Sequence, residues 1–377
     1  MKIAITAKTI YSNQEIYRNQ TILIENGILT HLNIKEIPLD AKVLTCDILS
    51  SGFLDLQIYG AGKTMFSADL SYESLEEMEI VLLTQGCTGF LATLATNSDE
   101  VFFKAIEIAK TYQPKVGNFL GLHLEGPFIN PQKRGAHISS YIKRASIASI
   151  KQIISHADGI VKMMTIAPEL QSEEVIDLLN EANIILSVGH SLANFKEGIK
   201  FFDKIPAATH LFNAMPSLHH RDPSLVGAIF NKKPYTSIVA DGVHVDFEMI
   251  SMAKKLLHDK LFLITDAVTV CNHGPYQHVF NKNHYTMPDG TLSGSALTML
   301  QAIKNCVNKV GISVEEAIRM ASTYPAKLLT ININYGQLNL GQPANLVLMD
   351  DDLKLEHVVF KSIILNANDS NIIKQVY

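Results

Sequence analysis

Several apolar runs in this 377-residue chain end in a histidine or an acid. One ends in His123-Leu124-Glu125-Gly126-Pro127, and another in Gly189-His190-Ser191. A third contains Thr209-His210-Leu211-Phe212-Asn213-Ala214, and two more end in Asp241-Gly242-Val243-His244 and Thr265-Asp266-Ala267. One carboxylate and two imidazoles, from Glu125, His190 and His210, make a suitable three-ligand set for a catalytic divalent ion such as Zn²⁺, with one position open for water. Such an ion lowers the pKa of water from about 15.7 towards about 7 and polarises a carbonyl. Asp266 is then placed to take the proton from the water and return it to a leaving nitrogen. Any one of these histidines, taken alone, reads as a satisfied structural residue. Their shared register makes them converge. His123 precedes Glu125 by two and shares its face of a strand; it reads as a supporting or packing residue, with ligation as the alternative.

The elements that must position these residues are strands. Apolar, β-prone runs recur at Phe53–Ile58, Gly89–Ala95, Phe119–Leu124, Val161–Ile166, Ile184–Val188, Ala207–Phe212, Ser237–Ala240 and Leu261–Ile264. Most of the gaps hold helix-like segments. In Ser74–Gly86, Ser74 and Glu77 fit a capping box and Gly86 a stop. Glu100–Lys110 and Gln171–Ala182 read as helices, and Ser313-x-x-Glu316 opens another. Continuous apolar strands alternating with helices imply a parallel sheet buried on both faces. Eight units suggest an α/β fold closed as a (β/α)8 TIM-like barrel, whose active-site residues sit at the strand C-termini. An open doubly wound sheet competes, but no GxGxxG follows the first strand.

Both ends have a different rhythm. Thr21–Glu25 and Ile28–Leu32 flank Asn26-Gly27, a strong hairpin signal because both turn positions need positive φ. Leu346–Met349 and Val358–Leu365 are short apolar runs near the other end. Neither end is large enough for its own core. The expected division is a small β-sandwich domain from residues 1–50 and 336–377 and a catalytic barrel from 51–335.

Composition narrows the function classes. Lys and Arg total 32 against 37 for Asp and Glu, a net charge of −5, which speaks against a basic nucleic-acid binder. The four cysteines form no CxxC pair, as in a reducing compartment. The N-terminus has no unbroken apolar h-region, and Ile80–Ala95 is broken by Gln85, Gly86 and Gly89. The expectation is a cytoplasmic protein with no membrane partner.

Six blocks carry a resemblance: GLHLEGPFINPQKRGAH (121–137), VGHSLANF (188–195), THLFNAMP (209–216), ADGVHVD (240–246), LITDAV (263–268) and DGTLSGSALTM (289–299). In type and order they resemble the N-acetylglucosamine-6-phosphate deacetylase family of the amidohydrolase superfamily. With GQPANLVLMD (341–350), the likeness covers nearly the whole chain. The resemblance implies a metal-dependent hydrolase barrel with a small β-sandwich from both chain ends. It also implies hydrolysis of the acetamide of N-acetyl-D-glucosamine 6-phosphate to D-glucosamine 6-phosphate and acetate, in amino-sugar catabolism. By that resemblance Glu125, His190 and His210 hold the metal and Asp266 is the general base and acid. His137 and His244 contact the sugar or amide, and Asn213 and Ala214 seat the sugar-phosphate end. Arg221 pairs with the phosphate from a neighbouring subunit, which implies a homodimer; its residue type alone reads as a loop charge. His219 and His220 are left as loop residues.

One departure bears on the metal. Where many amidohydrolases have His-x-His at the end of the first barrel strand, this chain has Gln57-Ile58-Tyr59. An amide and a phenol are poor substitutes for two imidazoles. One divalent ion per chain is therefore expected, with Zn²⁺ as default and Fe²⁺, Co²⁺ or Mn²⁺ as alternatives. N-acetylgalactosamine 6-phosphate is an alternative substrate. A metal-free binding subunit is the reading of a different class, and the intact Glu125, His190, His210 and Asp266 argue against it.

Overall fold

The computed structural model describes residues 1–12, 15–329 and 335–367. Among these, eight strands form one parallel sheet: Phe53–Ile58, Cys87–Ala95, Phe119–Glu125, Val161–Ile166, Ile185–Val188, Ala207–Ala208, Tyr235–Val239 and Leu261–Ile264. Each pairs with its sequence neighbour. Every residue of the first two is buried, as expected where helices cover one face and side chains fill the other.

The ring closes between the first and eighth strands. Asp266 N–H donates to Gln57 O and Tyr59 N–H to Ala267 O, both at 2.9 Å. Beneath this seam lies Asp55. Its Oδ1 accepts from the N–H groups of Gln57 at 3.2 Å and Thr265 at 3.3 Å, and its Oδ2 accepts from the Thr265 hydroxyl. Burial pushes this carboxyl up to about 7, against the hydrogen bonds that favour its charged form. Asp55 thus ties together the strands that carry Gln57 and Asp266.

Helices fill the gaps, with local corrections. The first covering helix, Tyr72–Thr84, is capped by Ser71, whose hydroxyl accepts from Ser74 N–H; it starts before the expected Ser74–Glu77 box. The expected helices at 100–110 and 171–182 are Asp99–Thr111 and Glu173–Glu181. Ser313 caps Val314–Ala321, but Glu316 turns its carboxylate to Lys254 and Tyr324.

The two chain ends meet in a separate seven-stranded sheet. Strands Lys2–Tyr11, Ile16–Glu25, Ile28–His31 and Ala41–Ser51 join Asn345–Met349, Leu355–Phe360 and Ile363–Asn366. Ala41–Ser51 is the junction: one edge pairs with Lys2–Tyr11 and the other with Asn345–Met349. Its apolar side chains join a core of their own with Ile3, Ile5, Leu346 and Val359. The hairpin turns at Asn26-Gly27, with φ of 52° and 80°. The run read as one strand over 358–365 is two strands, parted at Lys361 with φ 55°. Residues 368–377 of the expected terminal segment lie outside the described residues.

One element had no forerunner in the sequence reading. After Asp266, strands Val279–Asn281, His284–Thr286 and Leu292–Ser295 form a small antiparallel sheet. Ser295 N–H donates to Asp266 O at 2.8 Å, and Val268 N–H to Ser295 O at 3.1 Å. No helix among the described residues is long and apolar enough to cross a membrane.

Asp55→Ala should lower unfolding free energy by about 2–4 kcal/mol, because it leaves two buried N–H groups and a hydroxyl without an acceptor. Urea denaturation checks this, and a loss below about 0.5 kcal/mol would remove Asp55 from its closing role.

Candidate active site

The strand C-termini surround a cavity of about 320 Å³. Glu125 ends the third strand and is 1% exposed. Gly126 follows it at φ 85°, where a Cβ would stand 2.1 Å from Thr96 Oγ1, so only glycine lets the chain turn away here. His190 and His210 stand just past the fifth and sixth strands. Gly189 packs between Thr165 and Thr209, where a Cβ would come within 2.6 Å of Thr165.

Three imidazoles converge on Glu125. His210 Nε2 is 3.0 Å and His190 Nε2 3.3 Å from Oε1, and the two Nε2 atoms are 3.1 Å apart. His137 Nε2 is 3.1 Å from Oε2. One ligand atom each from Glu125, His190 and His210 lies within 4.8 Å of the others, and all three residues are buried. The donor set suits a divalent cation. The orientation of His190 supports that fit: its Nδ1–H donates to Lys133 O at 2.8 Å, which leaves the Nε2 lone pair facing the cluster. His210 Nδ1 is buried and has no partner among the described residues.

His137 has the opposite arrangement. Thr96 N–H donates to its Nδ1, so the proton sits on Nε2 and points at Glu125. Burial, with the neighbouring ring of His190, pushes the His137 pKa below the usual histidine value. Burial also opposes ionisation of Glu125, but His190 and His137 outweigh it and hold the carboxyl well below the usual range. His210 is raised because its contact with Glu125 overcomes its own burial.

Gln57 and Tyr59 are engaged here. Gln57 Nε2 lies 3.0 Å from Glu125 Oε1 and 2.8 Å from Asp266 Oδ1, and the Tyr59 hydroxyl donates to Glu125 Oε2. Gln57 thereby links the cluster to Asp266, whose pKa burial raises. His123 is occupied below, by Leu56 O at 2.9 Å and Thr165 Oγ1 at 2.8 Å, and burial lowers it to about 4. Its neighbours continue as a hydroxyl ladder, Thr165–Thr209–Ser187, with 2.7 and 2.6 Å contacts.

The backbone is strained where these groups are presented. His190, His210, Ala214 and Asp266 have φ of 47°, 34°, 51° and 54°. Left-handed conformations in non-glycine residues carry an energetic cost and cluster at functional sites.

Of the residues named from sequence, Glu125, His137, His190, His210, Asn213, Ala214, His244 and Asp266 all line this one cavity. Arg221 does not. It lies exposed in a turn bridged by His219 and Asp222, where its N–H donates to His219 Nδ1. Sequence reasoning missed Gln57 and Tyr59 as partners of Glu125, and Tyr276, His278 and Ser293 as lining. The quoted block DGTLSGSALTM contained Ser293, but nothing in its residue types singled that serine out.

This fold and cluster define a class. The amidohydrolase family model matches residues 30–377, and the chain belongs to the amidohydrolase family. It is 35% identical over 362 residues to the N-acetylglucosamine-6-phosphate deacetylase of Haemophilus influenzae, covering 92% of this chain and 94% of that one. It is 33% identical over 338 residues to the enzyme of that name from Bos taurus, covering 81% and 80%. A crystal structure of the Pasteurella multocida deacetylase superposes with a TM-score of 0.91 at 30% identity, covering 97% of this chain and 100% of that one. A Mycobacterium smegmatis mutant in complex with N-acetyl-D-glucosamine-6-phosphate superposes at 0.88 with 25% identity, covering 96% and 98%. Within the amidohydrolases, the chain's place is among the N-acetylglucosamine-6-phosphate deacetylases.

Elemental analysis of purified protein should find about one divalent ion per chain, since Gln57 and Tyr59 stand where two further imidazoles would be needed. His190→Ala should lose most of it. Two stoichiometric ions in the unmutated protein would contradict this reading.

Proposed function

We infer that the protein hydrolyses the acetamide of N-acetyl-D-glucosamine 6-phosphate to D-glucosamine 6-phosphate and acetate. The observation that carries this is the buried Glu125–His190–His210 cluster joined through Gln57 to Asp266, in one sugar-sized cavity of a chain that aligns with its deacetylase relatives almost end to end. Glu125, His190 and His210 would hold one divalent ion, with Zn²⁺ the default for this donor set. When bound, the ion supplies Lewis-acid polarisation of the acetyl carbonyl and acidifies the attacking water.

The protein's own groups do the rest. Asp266 accepts the proton of the water as its oxygen attacks the acetyl carbon, and then delivers that proton to the sugar nitrogen as the C–N bond breaks. Gln57 Nε2 holds one oxygen of Asp266, which fixes the carboxylate for that transfer. His137, with its proton on Nε2, and His244 contact the amide and the sugar. Asn213 and Ala214 seat the sugar-phosphate end. Arg221 binds the phosphate as a guanidinium fork. It is exposed and outside its own cavity, so it serves the cavity of a second copy in a homodimer. The site of action is the cytoplasm.

Incubation of purified, metal-loaded protein with the substrate should release acetate and a free amine, and the same assay with the galactosamine epimer tests the alternative substrate. Asp266→Asn, at confirmed full metal occupancy, should lose about 10²–10⁴-fold in kcat. Turnover within a few-fold of the unmutated protein would take the proton-transfer role from Asp266. Arg221→Ala should cost about 10–100-fold in kcat/KM without loss of metal, the value of a charged hydrogen bond. Mixing Arg221→Ala with Asp266→Asn chains should recover part of the activity. No recovery in confirmed heterodimers would place Arg221 in its own chain's site.

A further inference from the structure

Past the seventh barrel strand, Asp241 and His244 form a pair whose side chains are only 5% and 6% exposed. Asp241 Oδ1 accepts from the N–H groups of Val243 and His244, both at 2.8 Å. Its Oδ2 lies 2.6 Å from His244 Nδ1, and the other ring nitrogen, Nε2, lies 2.6 Å from the carbonyl oxygen of Ser293. A carboxylate and a carbonyl are both acceptors. Each ring nitrogen must therefore carry a hydrogen, because a neutral ring would press one nitrogen lone pair against an oxygen. The charged groups facing the ring are Asp241 and Asp266, both negative. Burial works against the charged ring, but Asp241 outweighs it and holds His244 above the usual histidine value.

Both His244 and Ser293 line the cavity, and Ser293 Oγ bonds His278 Nδ1 at 2.6 Å. The pair therefore also ties the seventh barrel strand to the small antiparallel sheet that flanks Asp266. We propose that Asp241 is a positioning residue that holds His244 as an imidazolium, with its other N–H on the Ser293 carbonyl, so that the cavity wall carries a fixed positive charge facing an anionic sugar. The ring's protonation follows from its own partners; only the identity of the ligand rests on the deacetylase reading.

Asp241→Asn is suited to the test because its amide oxygen can still accept the Val243 and His244 N–H groups, so the turn survives while the charge goes. Two-bond proton–nitrogen correlation spectra of protein labelled in histidine, with the His244 signals assigned by their loss in His244→Gln, should show a doubly protonated ring at neutral pH. In Asp241→Asn that signature should become neutral. With N-acetyl-D-glucosamine 6-phosphate, Asp241→Asn should lower kcat/KM about 10–100-fold, mainly through KM. Placed on His244→Gln it should cost no more than about twofold further, because the two residues act as one unit. A ring that stays doubly protonated in Asp241→Asn, or effects that multiply in the double variant, would overturn the proposal. A charge-dependent ring signature in a protein that does not turn over the sugar would refute the deacetylase reading and leave the assignment of Asp241 standing.

Discussion

A carboxylate without water around it must be matched by donors or by a cation, and Glu125 imposes that demand at the centre of the barrel mouth. Both of its oxygens are engaged: Oε1 by Gln57, His190 and His210, and Oε2 by Tyr59 and His137. Four elements of the barrel must deliver those groups to one point. The seam between the first and eighth strands sets Gln57 beside Asp266, and the Lys133 carbonyl turns His190 the right way. The hydroxyl ladder below gives His123 and the central strands polar partners that do not compete for the cluster.

The strained backbone belongs to the same arrangement. Ordinary strands project alternate residues inward, at positions fixed by the pleat. His190, His210 and Asp266 each stand two residues past the end of their strand, in left-handed conformations. Each gains a direction that the strand itself does not offer. Closely packed strand ends, such as Gly189 between Thr165 and Thr209, hold those conformations in place. The site is preorganised in the folded chain, the condition under which electrostatic catalysis is effective.

The eight barrel strands were legible as largely apolar runs, because burial on both faces leaves that mark, but the run expected over 207–212 is a strand only at Ala207–Ala208, since His210 and Phe212 turn to positive φ. The Glu125, His190 and His210 set was legible because polar residues are costly at such positions. Helix boundaries moved by up to three residues, as with Ser71 displacing Ser74 as the cap, because either serine satisfies the capping pattern. The small sheet after Asp266 was not legible. Its strands are three or four residues long, Val279–Asn281 is wholly exposed, and the buried residues of Leu292–Ser295 are serines, so no apolar periodicity marks them. Gln57 and Tyr59 were seen as a lost metal pair, whereas their hydrogen bonds to Glu125 depend on the closure of the ring. Asp241 lay within a quoted block, but its hold on His244 depends on a turn that residue types do not announce.

The shared end sheet has a consequence for biosynthesis. Ala41–Ser51 is made before the barrel, yet the partner for one of its edges, Asn345–Met349, emerges only after the whole barrel has been made. Until then that edge offers free N–H and C=O groups, with Leu44 and Leu49 lacking the cover of Leu346 and Leu348. The barrel is translated while the sheet beside it is half built. The nascent chain is thus most open to strand-to-strand association while the barrel is being made, and chaperone shielding of that edge matters more than for a barrel whose flanking sheet pairs locally.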